Sequence, residues 1–166
     1  MPPPPNTPAT AEPSASVTTT RSLRFALRMP ASAMIFFAIL SNDFSIRYIH
    51  HNADAGMHWL YKLTSYWGGL DGSMMFWAWL LSIFSTIAIS RNRERHQELI
   101  PWVVAILMVI LDFFVVLVVF YKRPFDTFLT DLPMMGKGLN PLLQDPYMAT
   151  HPPSLYTGYV SASIPF

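Results

Sequence analysis

The chain contains no cysteine. That excludes disulfides, thiolate metal sites and cysteine nucleophiles in one step. Charge is scarce too. Only 13% of the 166 residues are Asp, Glu, Lys or Arg, against about 25% in a soluble domain. The net charge is +1, and the basic residues do not gather on one face. No nucleic-acid or other polyanion partner is implied. Paired carboxylates, a nucleophile–base pair and a phosphate loop are all missing, so no complete catalytic site is visible.

What the chain has in quantity is apolar surface. Hydrophobic residues make up 52%, with ten methionines and five tryptophans. That balance belongs to lipid-facing and interfacial surfaces. Two runs have about the length that crosses a bilayer, roughly 20 residues. They are Ser73–Ser90, free of charge, and Leu99–Tyr121, which holds a single acid, Asp112. An earlier run, Met29–Leu40, is too short by itself. A span there must reach back to about Leu23 and carry Arg24 and Arg28, whose side chains can snorkel to the interface; the alternative is a late signal-like segment with Ala31-Ser32-Ala33. A fourth apolar stretch starts at Leu155 and meets the end of the sequence at Phe166. The expected fold is therefore an all-α, polytopic membrane helix bundle of about three spans plus the start of a fourth, over residues 21–166. Residues 1–20 are mostly Pro, Ala, Ser and Thr. They read as a disordered tail, since they bury too little apolar surface to offset ordering entropy.

Basic residues in short loops set orientation. Arg91, Arg93 and Arg95 between the second and third spans mark that loop as cytoplasmic, as Arg21, Arg24 and Arg28 mark the N-terminal side. The longer segments, about Ser41–Gly72 and Lys122–Ser154, then share the opposite face. Lys122 and Arg123 at the outer end of the third span weaken this assignment. The longer segments are rich in Gly, Pro, Asn and Asp, as turns require, and they hold the unusual residues. His50, His51 and His58 among them read as solvated loop histidines. Asp112 is costly in a membrane unless paired, and it supports an alternative reading: a transporter or proton-pathway subunit.

Four strings in these segments stand out: SNDFSIRYIH from Ser41, YWGGLDGS from Tyr66, NPLLQDP from Asn140 and HPPSLYTGY from His151. In this order and spacing they resemble the N-terminal region of the cytochrome c-type biogenesis family CcmF, the haem-lyase subunit of the cytochrome c maturation system. The resemblance covers about Ser41 to Phe166. It implies a multi-pass protein of the bacterial inner membrane, with its functional loops in the periplasm. It also implies haem as the cofactor. The partners it implies are a haem chaperone, apocytochrome c, other maturation subunits and a missing C-terminal half. Carried over residue by residue, it makes His151 a haem axial ligand. The ligand's partner histidine and the tryptophan-rich haem platform have no counterpart in this sequence. Asp71 stands where the family string has glutamate, one methylene longer.

The residues can also be read without the resemblance. Pro152 and Pro153 suit a first helical turn, which puts His151 at the mouth of a fourth span. There it is either an iron ligand or a helix-start histidine bonded to a loop carbonyl. Asp71 and Ser73 suit caps for the second span. Trp67 is either a haem contact or an interfacial tryptophan. Asn140, Gln144 and Asp145 belong to an ordered loop that positions His151.

Overall fold

The computed structural model of the chain describes residues 31–92 and 98–164. The expected tail, the basic half of the first span and most of the arginine-rich loop lie outside these residues. Helix α1 covers Ala31–Leu40. Two short helices follow, α2 at Arg47–Asn52 and α3 at Trp59–Ser65. Helix α4 spans Leu70–Asn92. Helix α5 spans Ile100–Val116 and runs on into a π turn, Leu117–Lys122. A 3-10 turn at Pro141–Gln144 leads into α6, Pro146–Ala162. No strand occurs among the described residues. A single isolated bridge joins Ile46 to Thr127.

The long helices form where the sequence is apolar without interruption. α4 and α5 with its π turn each run 23 residues. At 1.5 Å per residue that is about 34 Å, enough for a hydrocarbon core of about 30 Å. α5 buries Val104, Leu107 and Leu111 at helical spacing and exposes Trp102, Ile106, Val109 and Phe113, as its π turn exposes Phe120. Apolar side chains on both faces mark a helix surrounded by lipid and protein rather than by water. Leu81 of α4 and Val160 of α6 close on Leu107 and Leu111 to make one core. A second core joins Ile35 and Ile39 of α1 to Phe44, Tyr48, Ile49, Tyr66 and Phe76. The expected membrane helix bundle is the observed architecture.

The two long connecting segments are laced together at one end of α4 and α5. Arg47 N–H donates to the Asp126 carbonyl (2.8 Å) and Phe128 N–H to Ser45 (3.0 Å). Further along, Lys137 N–H donates to His50 (2.7 Å) and Gly138 N–H to Ala53 (3.2 Å). The two segments thus lie at the same end of the helices. They contain more helix than their Gly and Pro content led one to expect, because α2 and α3 bury Tyr48, Ile49, Thr64 and Ser65 against the bundle.

Candidate functional site

The four strings meet in space, and glycine makes the meeting possible. Tyr48 of the first string is buried, and its hydroxyl lies 3.0 Å from the carbonyls of both Ser65 and Tyr66, to which it donates. The same oxygen accepts from Gly69 N–H at 3.2 Å. A Cβ on Gly72 would strike the Tyr66 carbonyl and the Tyr48 hydroxyl, and one on Gly69 would lie 2.9 Å from the Tyr48 ring. Gly68 faces Leu139 just as closely. Tyr66 donates to Ser32 of α1 at 2.8 Å. Burial pushes the Tyr48 hydroxyl far above its ordinary value and that of Tyr66 up to about 12. Both phenols therefore stay neutral donors at any physiological pH.

Trp67 links the second string to α6, the helix that carries the fourth. Its indole N–H donates to the Ala149 carbonyl at 3.0 Å, across 82 residues of sequence. That carbonyl is free for a local reason. In an α-helix it would accept from the N–H of residue 153, but Pro153 has none. The double proline inside α6 thus leaves an acceptor that the tryptophan takes. Around this bond the rings stack: Trp67 on Phe76, Phe76 on Trp79, and Trp77 on both Tyr156 and Tyr159. Trp67→Phe keeps the stack and loses the bond. It should lower the unfolding free energy of the purified protein by about 1 kcal/mol. In a Pro153→Ala background the restored amide competes for the carbonyl, so the same change should cost less. Equal costs in the two backgrounds, measured by thermal melting, would show that the bond contributes nothing.

The loop before α6 is ordered by its own side chains. Asn140 accepts from Leu142 N–H (3.1 Å), and Gln144 donates to the Leu139 carbonyl (3.2 Å). Asp145 caps α6, accepting from Tyr147 and Met148 N–H at 2.9 and 3.2 Å. Pro146 takes the first helical position. The helix therefore starts five residues before His151, not at it as the two prolines had led one to expect. Asp145-Pro146 is the stronger start signal, because it offers both an acceptor and a fixed φ. His151 consequently sits in the second turn, exposed. Met148, Leu155 and Tyr159, at spacings of three and four, are exposed on the same face (53%, 40% and 52%).

The remaining candidates lie elsewhere. Asp71 falls in the first turn of α4 and lines a polar cavity with Lys122. Ser73 does not accept a helix-start N–H; its hydroxyl donates to the Trp67 carbonyl at 2.8 Å. Asp112 is on the exposed face of α5 and lines neither of the two cavities described below. His58 caps α3, accepting from Leu60 N–H (3.4 Å). His50 packs edge-on against Phe128. Among the described residues no group of His, Asp and Glu is placed to hold a metal ion. Sequence reasoning missed Tyr48 and the Ala149 carbonyl as organising groups. The prolines carried a signal for the second, since each removes a donor.

Comparison with known proteins bears on this arrangement. The family model described as cytochrome C assembly protein matches residues 67–166. The chain is 38% identical over 142 residues to the cytochrome c-type biogenesis protein CcmF of Haemophilus influenzae, covering 86% of this chain and 22% of that protein. It is 37% identical over 143 residues to the cytochrome c-type biogenesis protein ccl1 of Rhodobacter capsulatus, again covering 86% and 22%. With the probable cytochrome c-type biogenesis protein NrfE of Escherichia coli it shares 34% over 145 residues, covering 85% and 26%. The chain thus spans about a fifth to a quarter of the length of these curated relatives. No solved structure matches it.

Proposed function

The chain belongs to the cytochrome C assembly protein family, and from that membership we propose that it handles haem during cytochrome c maturation, with His151 as an axial ligand. The observation that carries the ligand assignment is the face of α6. An exposed imidazole lies between Met148, Leu155 and Tyr159, which suits a flat, largely apolar macrocycle needing one nitrogen donor. Bound haem would supply the iron and the vinyl groups that apocytochrome thiols attack, chemistry that belongs to the cofactor and not to this chain. The chain's own share is placement. Asp145 and Pro146 fix where α6 begins, and Trp67 holds the helix by the Ala149 carbonyl. Trp67 itself is half-buried and stacked on Phe76, which favours a tie between helices over direct haem contact. The polypeptide would work in the bacterial cytoplasmic membrane, with the laced segments on the periplasmic side. A haem chaperone, apocytochrome c, other maturation subunits and polypeptide equivalent to the rest of its relatives would complete the unit. The test is a deletion of the gene that carries this segment. Haem-stained c-type cytochromes should disappear and return on complementation. A deletion strain with a normal set of c-type cytochromes would end this reading.

A further inference from the structure

Two adjoining cavities occupy the end of α4 and α5 that carries the laced segments. The first, of about 400 Å³, is lined by Met75, Ala78, Trp79, Val115, Val118 and Val119. Arg123, Pro124, Phe125 and Asp126 line it as well. The second, of about 290 Å³, shares Arg123 and Asp126 with the first, and its lining also includes Arg47, His51, Asn52, Asp71 and Lys122. An apolar chamber inside the bundle thus continues into a polar one at its end. The chamber is not sealed on its flank: Val119 is 55% exposed, on a helix long enough to lie in a bilayer, and Phe125, in the loop just beyond that helix, is 40% exposed.

The polar cavity has three cations, Arg47, Lys122 and Arg123, against two carboxylates, Asp71 and Asp126. One pair is partly satisfied, Arg123 to Asp126 at 3.5 Å. Arg123 stands at the junction in a left-handed conformation, φ 47°, where the π turn ends and its N–H returns to the Val118 carbonyl at 2.8 Å. A non-glycine residue in that conformation is costly. Here it brings a cation to the boundary between the two chambers.

We propose that these cavities bind an anionic phospholipid, one acyl chain in the apolar chamber and the phosphate against Lys122 and Arg123. An amphiphile with a negative head and an apolar body matches the change in lining from one cavity to the next. A bilayer lipid fits better than haem held by its propionates, because the apolar chamber, where a macrocycle would lie, has no histidine in its lining; His51 lines the polar cavity beside the cations instead. The site is separate from the exposed face of His151 and does not depend on the haem reading. It gives a use to two basic residues that orientation rules do not expect at this end.

The test uses the full-length protein in nanodiscs of phosphatidylcholine mixed with phosphatidylglycerol, with retained lipid read by native mass spectrometry. Phosphatidylglycerol should be retained in preference to phosphatidylcholine. The double variant Lys122→Gln, Arg123→Asn should lose that preference by about fivefold for each cation removed; asparagine tolerates the left-handed backbone. Ala78→Trp, which fills the chamber, should lower retention of both lipids. Absence of preference in the unaltered protein, or an unchanged preference in the double variant, overturns the proposal. If the double variant instead loses its haem absorbance while retaining lipid normally, the cations serve propionates and the lipid assignment is wrong. The double variant alters only groups at the surface end, so the result stands even if Ala78→Trp fails to fold.

Discussion

His151→Gly in the full-length protein should remove the haem absorbance band and stop cytochrome c maturation, and added imidazole should restore both in part. The expected loss follows from the ligand role. Changing a group that merely supports a metal ligand costs about 10–100-fold in affinity, so removing a donor itself should exceed about a hundredfold. The imidazole arm separates ligation from structure. An exposed side chain in the second turn of α6 packs against little, so the fold should survive its removal. Free imidazole could then enter the space and offer the same nitrogen. A variant with an unchanged haem spectrum, or one that imidazole does not rescue although it melts normally, would exclude His151 as a ligand.

Gly72→Ala should abolish stable folding, whereas Gly158→Ala should be harmless. Both glycines lie inside helices and within motif strings, yet their surroundings are opposite. A Cβ at position 72 would collide with the Tyr66 carbonyl and the Tyr48 hydroxyl. Neither is the loose end of a flexible chain. One is backbone, and the other is buried and fixed by bonds to Ser65, Tyr66 and Gly69. Relief requires α4 to back away, which breaks those bonds as well. Overpacking and the orphaned polar groups together should cost at least about 3 kcal/mol. At Gly158 nothing lies within 4 Å of an added Cβ, and alanine is the better helix former by about 0.5–1 kcal/mol. Protease resistance and melting of the two variants in detergent would check the contrast. Similar behaviour in both would mean that the Tyr48–Gly72 contact does not support the fold.

Much of the architecture was readable in one dimension. The two complete spans follow from run length and absence of charge. They are observed at Leu70–Asn92 and Ile100–Lys122, within three residues of their expected limits. A bilayer imposes this directly: backbone polar groups must be paired within the segment, so an apolar run of that length becomes a helix. The turn chemistry of the third string was equally local. Asn140 and Asp145 cap the turns they begin. The start of α6 was misplaced because two start signals compete within eight residues, and Asp145 with Pro146 outweighs Pro152 and Pro153.

The sequence by itself determined that this is a membrane helix bundle, and its four strings carried the family. What it did not contain was the reason those strings belong together. Tyr48 reaching the start of α4, Trp67 reaching the Ala149 carbonyl across 82 residues, and the joined cavities at Arg123 are contacts between distant segments. Such contacts depend on how the helices cross and on which side chain finds a freed acceptor, and no local periodicity encodes that. His151 shows the division. Its residue type and neighbours suggested a ligand, and the local Asp145-Pro146 start sets it in the second turn of α6, but only the tertiary structure ties that helix to Trp67 and leaves His151 on an exposed apolar face.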